Sequence, residues 1–81
     1  MQIGLHPFPN PVTNKLTIVS TYANPVQIQL LDMMGRRLNQ AQKITGTYEM
    51  DVTRFAQNSY ILLVTDTKKN KTFRKLVVKL K

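Results

Sequence analysis

Alternation of apolar and polar residues is the feature of this sequence that most limits its fold. The spacing of two recurs along the chain, at residues 16–18, 26–30, 48–52, 60–64 and 76–80. No long run places apolar side chains at the i, i+3, i+4 and i+7 spacing of an amphipathic helix. A period of two is that of a strand with one face buried, so the chain is predicted to be all-β.

Turn signals between these strands predict two hairpins. Asp32 and Gly35 occupy the first and fourth positions of a type I turn, with Gly35 at positive φ in a G1 bulge. This turn joins residues 25–32 to residues 36–44, and polar residues in the second stretch favour an edge strand. The polar stretch 67–71 joins the last two strands in the second hairpin.

The alternation also assigns a facing to the last strand. It places Leu76, Val78 and Leu80 on the core side. The outward side of that strand then carries Phe73, Lys75, Val77, Lys79 and Lys81.

The run 60–64 differs from the others because its second face is apolar too, through Ile61 and Leu63. Leu31, Phe73 and Val77 share this outward parity. Such a stripe is either covered by loops or the parent chain, or it docks a partner.

Length and composition exclude several classes of protein. The chain has 81 residues and no Cys, so we expect one modest core without disulfides, thiolate zinc sites or a thiol nucleophile. Its longest apolar run, residues 60–64, is far below the roughly 20 residues that a membrane-spanning helix needs. No signal-peptide pattern occurs, so an exported form is expected to be cut from a longer chain.

Basic residues are concentrated near the end of the chain. Twelve Lys and Arg face four Asp and Glu, for a formal net charge of +8. Residues 68–81 contain seven of the basic residues and no acid. Such asymmetry is typical of chains that meet nucleic acid, an anionic surface or an acidic partner. Lys on the solvent side of a terminal strand also prevents pairing with other chains, which explains the pattern equally well.

Side chains suited to catalysis are sparse. His6 has no acid beside it in the sequence, which indicates a surface histidine. Ser20 and Ser59 lie outside any nucleophile-elbow motif, and Glu49 and Asp51 share a strand face where solvation is the simpler role. No glycine-rich phosphate loop is present. We therefore predict a protein that is not an enzyme, with no catalytic, cofactor-binding or metal-binding residues.

Two binding functions are compatible with a small basic β-domain. A nucleic-acid binder needs outward aromatic residues among basic ones, but Tyr48 and Tyr60 are in register with core positions, which leaves only Phe73 for that role. A sandwich module for adhesion or carbohydrate binding needs exposed aromatic residues on one face or loop acids for Ca²⁺, and four acids are few. A steep fall of DNA or RNA affinity with salt would identify the first function.

Four motifs, in order, carry a resemblance to a known family. The chain has Pro-Asn-Pro at residues 9–11, Asp-Met-Met-Gly-Arg at 32–36, Gly-Thr-Tyr at 46–48 and a Lys-rich ending at 73–81. Together they resemble the type A C-terminal sorting domain of the type IX (Por) secretion system of Bacteroidota, over residues 7–81. The resemblance implies an immunoglobulin-like antiparallel β-sandwich of about seven strands. Residues 1–6 are then a linker or an expression leader.

The same resemblance implies a function in protein export. In this family the domain ends a cargo protein, crosses the inner membrane with it and is recognised in the periplasm by the type IX machinery. The implied partners are the outer-membrane translocon, a shuttle protein and a surface sortase. In many members the sortase cuts before the domain and joins the cargo to anionic lipopolysaccharide. The implied location is the periplasm in transit, then the outer-membrane surface or the outside of the cell.

Roles for single residues follow from the resemblance. Pro9, Asn10 and Pro11 open the domain, and the two prolines stiffen the entry to the first strand. Gly35 is expected in the turn, with Arg36 beside it as a partner contact or a solvated charge. Tyr60 resembles the tyrosine of a sandwich corner, whose hydroxyl returns to the backbone.

Asn58 departs from the family pattern, which usually has Gly two residues before this Tyr. Asn tolerates the left-handed region better than other non-Gly residues, so Asn58 is expected there. On that basis Asn58→Gly would be neutral or stabilising.

Recognition is expected to reside in the last strand. The residues assigned to it are Phe73, Lys75, Val77, Val78, Lys79 and Lys81. This basic, partly apolar edge is expected to add to another sheet, or to be attracted to an anionic surface. Deletion of residues 77–81 is expected to leave a fused cargo in the periplasm. Pairing of two copies through the same edge would give a homodimer.

Overall fold

The computed structural model describes residues 5–9 and 11–80, which form seven strands. In chain order they are β1 (Leu5–Phe8), β2 (Lys15–Ser20), β3 (Val26–Leu31), β4 (Gln42–Ile44), β5 (Thr47–Asp51), β6 (Asn58–Asp66) and β7 (Lys71–Lys79). Within these two ranges no helix has the length and hydropathy to cross a membrane.

The strands form two antiparallel sheets, in the orders β1-β2-β5 and β4-β3-β6-β7. The apolar side of each alternating strand points at the other sheet, so Leu16 and Ile18 of one sheet share a core with Ile28 and Leu62 of the other. Burial of each such side chain contributes about 1.5–3 kcal/mol. The all-β prediction is confirmed, and the architecture is an immunoglobulin-like β-sandwich.

The β3–β4 hairpin has the predicted turn. Gly35 has φ of 86°, its N–H donates to the Asp32 carbonyl at 3.0 Å, and the Asp32 N–H donates to the Arg36 carbonyl at 3.0 Å. The returning strand is shorter than expected, because a side chain interrupts the backbone ladder. Asn39 Oδ1 accepts the Leu30 N–H at 3.0 Å, so regular pairing resumes only at β4, which is an edge strand as predicted.

The β6–β7 hairpin is the longest paired unit in the described ranges, running from Asn58 opposite Lys79 to Asp66 opposite Lys71. Its turn is ordered by Asp66, whose Oδ1 accepts the backbone N–H groups of Lys68 at 3.1 Å and Lys69 at 3.3 Å. The predicted second hairpin is confirmed.

The expected facing of β7 is wrong. Val77 and Lys79 are each only 1% exposed, whereas Leu76 and Leu80 are 56% and 40% exposed. The reason is the pairing of β7 with β6: Val77 lies opposite Tyr60, and directly opposed residues project from the same face of a sheet. The core side of β7 is therefore the odd-numbered one.

The proline motif follows the first strand instead of opening it. Leu5 begins β1 and is buried in the core, so β1 takes its first two residues, Leu5 and His6, from the expected leader. Pro9 and Pro11 are exposed and lie between β1 and β2. Asn10 and residues 1–4 are outside the described ranges.

Val12, directly after this motif, joins the two sheets. Its N–H donates to the Val78 carbonyl at 2.8 Å, and its carbonyl accepts the Leu80 N–H at 2.8 Å. Val12 thus makes a parallel bridge to the end of β7 and is itself buried.

Candidate partner-binding surface

The β6–β7 hairpin carries an exposed group of basic side chains, named here the basic hairpin. Its members are Lys68, Lys69, Lys71, Arg74 and Lys75. Asp66 is the acid at its turn, and that carboxylate is buried and accepts backbone N–H groups. The basic hairpin lies at the edge of its sheet, because β7 is the last strand in the order. A cationic edge of this kind attracts anionic surfaces over about a Debye length.

Three of the six residues assigned to recognition have side chains that are already engaged in the fold. A fourth lies outside the described ranges. Val77 is in the core, and Lys79 is buried with its Nζ donating to the Leu80 carbonyl at 3.1 Å. Phe73 is half-buried and stacks on Tyr22, with ring centroids 6.0 Å apart and planes at 12°. Lys81 is not among the described residues.

The other two remain accessible. Lys75 is exposed and belongs to the basic hairpin, and Val78 is half-buried on the outer face of the sheet. The predicted outward aromatic for a nucleic-acid platform is absent at Phe73, since its ring packs on Tyr22 and against the core.

Sequence reasoning missed Leu76, the most exposed apolar side chain of β7. Leu76 lies opposite Ile61, and Ile61 lies opposite Leu31 on its other side. These three residues, named here the outer row, cross three strands on the face turned away from the core. The double-sided apolar pattern at residues 60–64 was the signal for this face. Which residues of β7 complete it depends on the strand register.

The predicted tyrosine corner is present. Tyr60 Oη donates to the Ala56 carbonyl at 2.5 Å, and the ring packs at 5.9 Å between centroids against Phe55. The ring is buried while its hydroxyl finds a backbone acceptor, which satisfies both halves of the side chain. Tyr60 therefore fixes the loop that leads into β6.

Arg36 is engaged within its own turn. Its Nε donates to Asp32 Oδ2 at 2.6 Å, although the Arg36 side chain is 78% exposed. The pKa of Asp32 is lowered, first by the hydrogen bond from the Arg36 backbone N–H and further by the guanidinium. Asp32 Oδ1 also accepts the Met34 N–H at 2.9 Å, so the carboxylate caps the turn.

Asn58 does not have the expected conformation. In the described residues, the non-Gly position with positive φ is Asn70, at 55°. Asn58 begins β6 in extended backbone opposite Lys79, and its Oδ1 accepts the Ser59 N–H at 2.8 Å. The left-handed residue of this hairpin lies at its tip and not at its base.

Acidic residues are dispersed over the molecule. Asp51 Oδ1 accepts the Thr53 hydroxyl at 2.6 Å and the Thr53 N–H at 2.9 Å, and these bonds lower the pKa of Asp51. Across residues 5–9 and 11–80, no three His, Asp or Glu side chains come together as a group able to hold a metal ion.

The paired sheets, the tyrosine corner and the basic edge strand define an immunoglobulin-like domain with a charged C-terminal hairpin. A family model described as "Secretion system C-terminal sorting domain" matches residues 6–79. The chain therefore belongs to that family, the sorting domains of the type IX (Por) secretion system, and the resemblance seen in the sequence is confirmed. Membership implies export to the cell surface or the extracellular space.

The fold has a counterpart among solved structures. PorZ of Porphyromonas gingivalis, described as an essential bacterial surface component of the type IX secretion system, matches with a TM-score of 0.81. The two are 21% identical, and the match covers 96% of this chain but 12% of PorZ. This likeness supports the fold. No curated protein matches the chain.

Proposed function

We propose that this domain directs an attached cargo from the periplasm through the type IX outer-membrane translocon. It then presents the cargo to the surface sortase for cleavage and attachment to anionic lipopolysaccharide. In this role the domain is an export signal without catalytic activity of its own, because the sortase carries out the bond cleavage. The observation that carries the proposal is the family match over residues 6–79, nearly the whole chain.

The basic hairpin is the feature of the structure that suits this role. Lys68 and Lys69 project from its tip, and Arg74 and Lys75 continue the charge along the exposed edge strand. Both proposed anionic partners, an acidic translocon surface and lipopolysaccharide, would be attracted to the basic hairpin. The long antiparallel pairing of β6 with β7 presents these charges on a rigid support.

The structure changes how this proposal has to be tested. Deletion of residues 77–81 removes Val77 and Lys79 from the core and the backbone partners of Val12. Loss of secretion by that deletion would therefore report on folding as much as on recognition. Surface substitutions separate the two.

The experiment fuses residues 1–81 behind a periplasmically exported reporter in a type IX-competent bacterium. We expect the reporter at the cell surface or in the medium, and loss of the 9.3 kDa domain from the secreted product. Secretion without loss of mass would contradict the sortase step, and a reporter retained in the periplasm with the domain folded would contradict the whole proposal.

A matched pair of variants tests the basic hairpin. The double substitution Lys68→Gln and Lys69→Gln is compared with Lys15→Gln and Arg54→Gln, which lowers the net charge equally on the other sheet and its adjoining loop. We expect the hairpin variant to secrete several-fold less reporter than the control, at equal thermal stability. Equal secretion by the two variants would contradict a specific role for the cations of the basic hairpin.

A further inference from the structure

The second sheet turns an apolar face away from the core. Across β3, β6 and β7, the outer row of Leu31, Ile61 and Leu76 forms a continuous line in register. Exposure increases along it, because Leu31 is 8% exposed and Ile61 is half-buried. Leu63 and Val78 lie beside it on the same face. Leu76, at its end, is 56% exposed in the middle of a regular strand. An antiparallel sheet with one solvated face ordinarily has polar residues there.

The other sheet of the same molecule has a more polar outer face, although Val19 and the 49% exposed Phe8 also lie on it. On its outer face Thr17 lies opposite Glu49, and Lys15 lies opposite Asp51. The outer face of a sheet in this domain can therefore be largely polar. The outer row is a local departure from the rule, and contiguous apolar patches with a polar border mark interaction sites.

The charged side chains on the same face as the outer row are cationic, whereas Gln29 opposite Leu63 and Ser59 opposite Val78 are neutral. Arg37 forms an isolated bridge with Leu31, Arg74 lies opposite Leu63, and Lys43 lies opposite Gln27 on the same face. All three are exposed.

None of the four acids of the chain lies on this face. Asp32 caps the turn after β3, Glu49 and Asp51 belong to β5 of the other sheet, and Asp66 is buried in the β6–β7 turn. The face therefore combines an apolar centre with a border that carries positive charge and no negative charge.

We infer that the outer row is a docking surface for a protein partner whose own apolar patch is bordered by carboxylates. Protein interfaces have an apolar centre and a polar rim, and a rim of Arg37, Lys43 and Arg74 selects the opposite charge. The inference deepens the proposed function and rests on it, since this partner is one that the domain meets on its export route.

Two other occupants fit less well. A second copy docked face to face would bring the same cations against each other, which disfavours the pair. A lipid surface would bind the cations through its anionic headgroups, but stable insertion needs more apolar area than the one largely exposed side chain of the row, Leu76, provides. A protein surface can contact Leu76 and the half-buried Ile61 and place carboxylates against the cations at the same time.

The first test compares two substitutions in the reporter fusion. Leu76→Thr removes the apolar end of the outer row and keeps a strand-favouring residue, whereas Val19→Thr makes a similar change on the outer face of the other sheet. We expect unchanged unfolding midpoints for both variants. Leu76→Thr should lower the secreted reporter about tenfold, as for an interface residue of moderate weight, with Val19→Thr near wild type. Equal secretion by the two variants overturns the inference.

The second test identifies the occupant. Benzoylphenylalanine replaces Leu76 in the fusion or, as the control, Phe8, which is 49% exposed on the other sheet. Irradiated cells are expected to give a protein adduct at position 76 only. Its cross-linked peptide should combine apolar residues with Asp or Glu, and Arg74→Glu should weaken the adduct.

The remaining outcomes of the cross-linking each overturn the inference. They are a lipopolysaccharide ladder, an adduct of twice the mass of the fusion, an adduct to the reporter, a partner peptide without acids, or no adduct. Failure of the proposed function appears separately, as retention of the unsubstituted fusion in the periplasm. The cross-linked product at position 76 can then still be analysed in the periplasmic fraction.

Discussion

Two asparagines in the β6–β7 hairpin occupy unlike backbone positions. Asn70 takes the left-handed conformation at the tip, with φ of 55°. Asn58 is extended at the start of β6, where it pairs with Lys79. A residue with a Cβ is strained in the first conformation and comfortable in the second. The same substitution should therefore act oppositely at the two positions.

We expect Asn58→Gly to lower the free energy of unfolding by about 0.5–1 kcal/mol, because glycine in a strand loses more backbone entropy on folding. Asn70→Gly should leave stability unchanged or raise it, because relief of the left-handed strain offsets that entropy. Urea denaturation of both variants measures the difference. If Asn58→Gly proved as favourable as Asn70→Gly, Asn58 would be left-handed, as the family pattern suggested.

At the scale of the element, β7 is the strand whose facing could not be predicted from the sequence. Strands with one apolar face, such as β2 and β3, were assigned correctly because only one orientation buries their apolar residues. In β7 both alternating sets are apolar: Val77 belongs to one, and Leu76 and Val78 to the other. The facing of β7 is set by its register with β6, in which Tyr60 lies opposite Val77.

This facing makes a stability prediction for β7. Val77→Ala should lower the free energy of unfolding by about 2 kcal/mol, since it removes buried methyl groups and leaves a cavity. Leu76→Ala should change it by less than about 0.5 kcal/mol, because that side chain is largely in solvent. Guanidinium denaturation of the two variants decides between the facings, and the reverse order of stabilities would restore the one read from the sequence.

Local side-chain hydrogen bonds account for the other differences between sequence and structure. Asn39 interrupts the strand predicted at residues 36–44 by accepting the Leu30 N–H, which no hydrophobic pattern reveals. By contrast, Gly35 and Tyr60 were predictable, because a G1 bulge and a tyrosine corner each need one residue type at one place. The outer row was visible in part at Ile61, and its completion by Leu76 required the register.

For the whole molecule, the uneven charge makes its few carboxylates important. Asp32 and Asp51 each accept hydrogen bonds in a turn, from Arg36 and Thr53 respectively. The pKa of each is lowered from the ordinary value of 3.8, chiefly by the Arg36 backbone N–H for Asp32 and by the Thr53 hydroxyl for Asp51. The folded state thus holds these protons less tightly than the unfolded state.

Stability should therefore depend on pH on the acid side. The contribution of the two carboxylates is complete above their unfolded pKa of about 3.8 and is lost as the pH falls through the lower folded values. We expect the urea midpoint to be steady between about pH 7 and pH 5 and to fall below about pH 4. The double variant Asp32→Asn and Asp51→Asn should show a shallower fall, and an equally steep one would assign the acid sensitivity to other groups.

The bridge at Val12 has a consequence for the order in which the molecule can be finished. The hydrogen bonds that hold Val12 come from Val78 and Leu80, near the far end of the chain. A ribosome that stops before those codons leaves the opening segment without its backbone partners, so the domain closes only when translation has run through them. In the proposed role, a domain whose synthesis stops inside β7 would therefore be incompletely folded and would be a poor export signal.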